Sequence, residues 1–299
     1  MESTQTSQAD LTVAGWPASV KLRTLIGTGL VVLFVLLLAV DSAWPAGFLY
    51  AGIGTAMVAV ALDEAARMAR RLGVDVQRPL LVLGGSALFL AHWAGMASPA
   101  APDGWLLALA LLALVVLVQL SESVVRARIE GALLTLSVTA GMLVYVPVLL
   151  GFLTAVRVQF GTAGLVTVAA VCKAGSTGAY FVGTALGRHK LAPRVSPKKT
   201  VEGALGAVLA CMLVACLLSR SPWGLMNGWL ALLYGAVVAA AGMLGDLAAS
   251  LLKRETGVKD SGRLLPGTGG MLDILDDVLF VAPVSFLFFW GARALASGV

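Results

Sequence analysis

The chain has 299 residues, 59% of them hydrophobic and 12% charged, with a net charge of +5 and a mean hydropathy of +0.92. Soluble domains carry about twice that charged fraction, so a water-soluble globule is excluded for want of polar surface. The apolar runs are continuous rather than alternating, which argues against a β-barrel. They predict an all-α integral membrane protein, a polytopic bundle of about nine transmembrane helices.

Residues 1–20 are polar and rich in Ser and Thr. They lack the basic start, apolar run and cleavage site of a signal peptide and read as a disordered N-terminal tail. Residues 21–299 then read as a single transmembrane domain. The expected spans are Leu25–Val40, Ala46–Leu62, Pro79–Met96, Trp105–Leu120, Ala132–Val156, Gly161–Gly187, Gly203–Leu218, Leu225–Leu252 and Val278–Leu295. Trp16, Trp44, Trp105, Trp223 and Trp229 fall near span ends, where aromatic belts sit.

The basic residues orient this layout. With a cytoplasmic N-terminus, the inner side carries Lys21, Arg23, Arg67, Arg70, Arg71, Arg78, Arg126, Arg128, Arg188, Lys190, Arg194, Lys198, Lys199, Lys253, Arg254, Lys259 and Arg263. The outer side carries Arg157, Arg220 and Arg293, and Lys173 lies within a span. Such a bias predicts a cytoplasmic N-terminus. It also accounts for the basic charge without nucleic acid, since no basic run is interleaved with base-stacking aromatics. Cys172, Cys211 and Cys216 lie in apolar segments without ligand spacing, and read as small core residues.

The first four spans hold little polar material, and the candidate chemistry gathers late in the chain. Asp246 lies far into the eighth span, near its cytoplasmic end, with Ser250 and Lys253 at i+4 and i+7 on the same face. Either the carboxylate ligates a hard cation or it closes a salt bridge at the helix end. In the following loop come Lys259-Asp260 and Pro266-Gly267-Thr268-Gly269-Gly270, then Asp273, Asp276 and Asp277. Carboxylates beside cations and glycines suit Mg²⁺ held against a phosphate chain, or equally acidic residues at a helix N-terminus. A third cluster, Ser196, Lys198, Lys199 and Thr200, reads as a phosphate grip, or as a positive-inside anchor with Thr200 as N-cap and Glu202 in the first turn. Lys173 is expected to pair with a carboxylate, Asp246 or Asp273, unless it snorkels. His189 is expected to be a solvated loop residue, and His92, beside Trp93, to lie at the membrane interface.

Taken together, Gly245-Asp246, Ser250, Lys253-Arg254, Lys259-Asp260, Pro266-Gly267, Gly269-Gly270, Asp273 and Asp276 resemble the C-terminal signature of the phosphatidate cytidylyltransferases, also called CDP-diacylglycerol synthases. Thr177-Gly178-Ala179-Tyr180 through Pro193, and Ser196-Pro197-Lys198-Lys199-Thr200-Val201-Glu202-Gly203, are also similar. The resemblance covers residues 171–277; the first four spans match in hydropathy alone. It implies that phosphatidate, or a related anionic lipid, attacks the α-phosphate of CTP at the cytoplasmic face of the inner membrane. CDP-diacylglycerol and pyrophosphate would be the products, with Mg²⁺ and room for a second cation. Carried over residue by residue, Asp246 and Asp273 are the metal carboxylates, with Lys253 and Asp260 completing the catalytic set. Ser196, Lys198, Lys199, Thr200, Lys259, Arg254, Gly269 and Gly270 bind substrate. A homodimer is compatible with this reading.

Three positions depart from the family pattern: Ser176 stands where it has Asp, Thr268 where it has His, and Ile274 where it has Arg. The alternative they raise is an impaired relative that binds or senses lipid phosphate. A transporter fits the hydropathy but lacks an inverted repeat or a broken-helix pair.

Overall fold

The computed structural model describes residues 12–13, 16–17, 47–97, 103–222, 224–262, 264 and 269–297. The expected span Leu25–Val40 and most of the expected tail lie outside these residues, as do Lys21, Arg23, Arg263 and residues 265–268. Thr12–Val13 (β1) pairs antiparallel with Trp16–Pro17 (β2). The helices are α1 (Phe48–Arg71), α2 (Arg78–Ala97), α3 (Gly104–Val125), α4 (Ala132–Leu143) and α5 (Leu149–Leu186), the last two joined by a π-turn at Val144–Val148. A hairpin of β3 (Lys190–Ala192) and β4 (Ser196–Thr200) leads into α6 (Val201–Ser219), α7 (Gly228–Glu255) and α8 (Met271–Ser297).

Among the described residues six helical runs are long and apolar enough to cross a membrane: α1, α2, α3, the 55-residue run Ala132–Leu186, α6 and α7. The protein is thus built as an all-α integral membrane protein. The sequence suggested a loop between Val156 and Gly161. Instead α5 continues to residue 160 and breaks at Gly161, whose φ of 65° and ψ of −164° suit glycine. The π-turn widens around Pro147, which has no N–H to donate to the preceding turn.

Side-chain caps explain several helix starts. The carboxylate of Asp103 accepts from Trp105 N (2.8 Å), Thr200 Oγ1 from Gly203 N (3.1 Å) and Asn227 Oδ1 from Leu230 N (3.1 Å). Small residues allow α5 and α6 to pack closely: a Cβ on Gly178 would lie 2.6 Å from the Gly206 carbonyl. The apolar interior falls into two clusters. Val58, Leu62, Leu81, Phe89, Leu143 and Val146 form one, and Val168, Val171, Cys211, Tyr234 and Val238 belong to the other. Helix α8 joins both, giving Leu275 and Leu279 to the first and Val281 and Phe289 to the second. Cys172, Cys211 and Cys216 are free thiols.

His92 is buried among the helices. It is 1% exposed, its Nε2 lies 3.1 Å from the Gly151 carbonyl, and its ring packs on Trp105. Gly151 leaves the space it needs, since a Cβ there would come within 3.0 Å of the imidazole.

Polar contacts gather the loops at one end. Arg128 pairs with Asp75 (2.6 Å), so the α1–α2 and α3–α4 turns share that end. Glu64 on α1 reaches the start of α8, and Lys199 on β4 reaches Asp246 on α7.

A candidate active site at the loop end

Helices α7 and α8 supply the carboxylates. Their backbones touch where a Cβ on Gly245 would collide with the Asp276 carbonyl, which explains a glycine immediately before Asp246. Asp246 Oδ1 receives the Ser250 hydroxyl at 3.4 Å, in keeping with their i, i+4 spacing. Its Oδ2 lies 2.9 Å from Lys199 Nζ. That contact is an ion pair outside hydrogen-bond geometry, and among the described residues the buried ammonium nitrogen meets no further acceptor. A buried ammonium with three N–H groups and a single carboxylate oxygen beside it has room for a further anion.

Lys253 does not join Asp246, seven residues earlier on the same helix. It pairs with Asp273 Oδ1 at 2.5 Å, and the two side chains are 13% and 8% exposed. The other oxygen of Asp273 accepts from Ser261 N (2.8 Å) and Gly270 N (2.8 Å), with Ser261 Oγ at 2.9 Å. Burial opposes the charge on Asp273. The Lys253 ammonium and the two backbone N–H groups outweigh it and hold the carboxyl below its ordinary range. Gly269 has φ 89° and Gly270 is tightly hemmed in; a Cβ on either would collide with a carboxylate, Asp273 or Glu64 respectively. The anions that these two glycines approach in the structure are therefore the protein's own.

Asp276 is the crowded carboxylate. Its Oδ1 accepts from Asp277 N at 2.7 Å. Burial, then the nearby charges of Asp277 and Asp246, push its pKa up to about 8. Asp273 and Asp276 both precede the apolar run that begins at Val278. Among the described residues no group of three or more His, Cys, Asp or Glu side chains is arranged to hold a metal. Two carboxylates, Asp246 and Asp276, do lie close enough to repel one another. Such a pair fits Mg²⁺, which takes one or two carboxylates and completes its shell with water and phosphate oxygens.

Lys173 pairs with a carboxylate, but the partner is neither Asp246 nor Asp273. Both Asp277 oxygens lie 3.1 Å from Lys173 Nζ, and Ser176 Oγ donates to Asp277 Oδ2 at 2.9 Å. Ser176, one of the departures from the family pattern, thus contacts a site carboxylate directly. Thr200 is buried and caps α6, while Glu202 accepts from the backbone of Arg188 and His189 and from the His189 ring (2.6 Å), fastening the hairpin. His189 is exposed yet engaged. Ser196 is half-buried on β4; Lys198, Arg254, Lys259 and Asp260 are exposed, and among the described residues none of these four forms an ion pair.

Sequence reasoning passed over Glu64. It is 2% exposed, and it accepts from Met271 N (2.9 Å) and Leu272 N (3.0 Å), with Ser261 Oγ at 2.7 Å. The signal was an acidic pair, Asp63-Glu64, closing an apolar run. Asp63 turns to Arg67 and Arg78, and Glu64 turns inward.

The cytidylyltransferase family matches residues 21–291. A phosphatidate cytidylyltransferase of Staphylococcus epidermidis is 49% identical over 108 residues, 36% of this chain and 42% of that protein. One from Staphylococcus haemolyticus is 45% identical over the same length and the same shares. The uncharacterized protein YnbB of Escherichia coli is 39% identical over 134 residues, 44% of each chain. The matched stretch thus spans less than half the length of these relatives, whereas the family match runs through nearly the whole chain. The chain belongs to the cytidylyltransferase family.

Proposed function

We propose that this protein transfers a cytidylyl group from CTP to phosphatidate. A phosphate oxygen of the lipid attacks the α-phosphorus, the bond to the β-phosphate breaks, and CDP-diacylglycerol and pyrophosphate leave. The observation that carries this reading is the buried Lys199 ammonium, 2.9 Å from Asp246 and, among the described residues, met by no further acceptor. An ammonium with N–H groups to spare beside neighbouring carboxylates suits a polyphosphate that brings its own cation.

In this reading Asp246 and Asp276 would hold Mg²⁺, with Asp273 behind Lys253. Mg²⁺ bound there would draw charge from the phosphates of CTP. Lys199 donates to a phosphate, and Lys198 and Lys259, both exposed, meet the remaining charge. Lys253 is held by Asp273, so its position is set before substrate arrives. The work of the site is positioning and charge neutralisation, as phosphoryl-type transfer requires. Lys173 and Ser176 hold Asp277, the neighbour that sets the field at Asp276.

The fuller layout belongs to the same proposal: nine spans, a cytoplasmic N-terminus, and a site facing the cytoplasm at the inner membrane. The contacts Arg128–Asp75, Glu64–Met271 and Lys199–Asp246 support it, because they draw basic loops from separate parts of the chain to one end. Detergent-purified protein given labelled CTP, phosphatidate and Mg²⁺ should form a labelled lipid. Wild-type protein that forms no CDP-lipid, yet is stabilised by phosphatidate alone, would replace this reading with lipid-phosphate binding.

A further inference from the structure

We propose that Glu64 is a positioning residue for this reaction, acting through Ser261 and the first turn of α8; the inference rests on the functional reading above. Glu64 stands on α1, outside the stretch that carries the family motifs, yet its carboxylate is built into the site. Oε1 accepts from Met271 N at 2.9 Å, and Oε2 accepts from Leu272 N at 3.0 Å. Ser261 Oγ lies 2.7 Å from Glu64 Oε2 and 2.9 Å from Asp273 Oδ2, and its single proton serves one carboxylate at a time.

The loop is shaped to this carboxylate. A Cβ on Gly262 or Gly270 would collide with Glu64 oxygens, so both glycines leave room for it. The grip falls on the first residues of α8, the helix that presents Asp273, Asp276 and Asp277. At a helix N-terminus the backbone N–H groups lack intrahelical partners, and a carboxylate there is favoured by the helix dipole. Here that carboxylate comes from another helix, more than two hundred residues earlier in the chain. Holding Met271 and Leu272 fixes where Asp273 meets Lys253, and with it where Asp276 stands beside Asp246. Glu64 touches neither the proposed cation nor the proposed phosphates, so its effect passes through these groups.

The test uses the full-length protein in detergent. Glu64→Gln keeps the shape but sets an NH₂ against either Met271 N–H or Leu272 N–H, donor against donor. Ser261→Ala removes the bridge and leaves Glu64 on the helix. Turnover of CTP is measured for wild type, each single variant and the double variant, with hydrogen exchange at residues 270–272 as a readout independent of activity. The expected result for Glu64→Gln is faster exchange and a kcat lowered about tenfold or more, with KM for CTP within about twofold. The double variant should then lose less than the product of the two single losses, because both act through one network. Unchanged exchange overturns the proposal, as does faster exchange with wild-type kcat, or losses that multiply in the double variant. Each of these leaves the functional reading standing. Wild-type protein without turnover overturns that reading first and the positioning role with it. Should Glu64→Gln fail to fold, Ser261→Ala decides alone: a lowered kcat at unchanged KM supports the proposal, and wild-type kcat overturns it.

Discussion

Helices α1–α4 centre on one apolar cluster and helices α5–α7 on the other, with α8 joining both, and the two sides differ in their best-buried ion pair. In the first half the ion pairs Arg67–Asp63, Arg78–Asp63, Arg126–Glu122 and Arg128–Asp75 each have at least one side chain more than a third exposed. Such pairs are screened by water and contribute about 0–1 kcal/mol each. In the second half Lys253–Asp273 is 13% and 8% exposed and carries further hydrogen bonds. A buried pair of this kind costs much to assemble and more to break. The contrast teaches that the first half is scaffold at its rim and part of the site at Glu64, whose inward carboxylate meets α8.

The sharpest way to break this comparison is at Asp246. Asp246→Asn should lower CTP turnover on the order of a thousandfold, since it removes a carboxylate from the proposed cation, and chelation of divalent metal should do the same to wild type. Turnover within a few-fold of wild type would move the chemistry elsewhere. Next comes Lys253→Met. It leaves Asp273 buried without its cation and should cost about 3–5 kcal/mol in denaturation measurements. Arg128→Ala, in the other half, should cost less than about 1 kcal/mol. Equal losses would erase the distinction between the halves.

The pair Lys173–Asp277 sharpens the comparison. Lys173→Met and Asp277→Asn should each destabilise, and the double variant should be less damaged than the two together by about 1–2 kcal/mol; strict additivity would deny the pairing. Thr200→Ala should cost about 1 kcal/mol through the lost cap of α6, read as a small fall in melting temperature.

The smallest effect concerns pH. Because Asp273 is held below its ordinary range in the folded protein, its contribution to stability is complete above the unfolded-state value near about 4. That contribution is lost as pH falls through the lower folded value. Asp273→Asn should flatten the acid limb of a melting-temperature profile, and an unchanged limb would contradict the assignment.

Much of this was legible in the sequence. Spacing set Lys253 on the face of Asp246, the family resemblance added Asp273 and Lys199, and the cost of a charge in an apolar helix required a partner for Lys173. Periodicity fixes the face of a helix but not its register against its neighbours. That is why Lys173 meets Asp277 and not Asp273, one turn earlier, and why Lys253 crosses to α8 and not back to Asp246. Glu64 was hidden for a different reason. Two of its partners are backbone N–H groups, which every residue carries and no sequence pattern marks. In the fold Gly269 and Gly270 clear space for Asp273 and Glu64.

The most direct test of the central claim is the binding of Mn²⁺, as a spectroscopic stand-in for Mg²⁺, to detergent-solubilised protein in the presence of CTP. Wild type should show a protein-bound Mn²⁺ signal that requires CTP and falls in both Asp246→Asn and Asp276→Asn. A signal of the same strength in all three proteins would show that these carboxylates do not hold the cation, and would contradict the account.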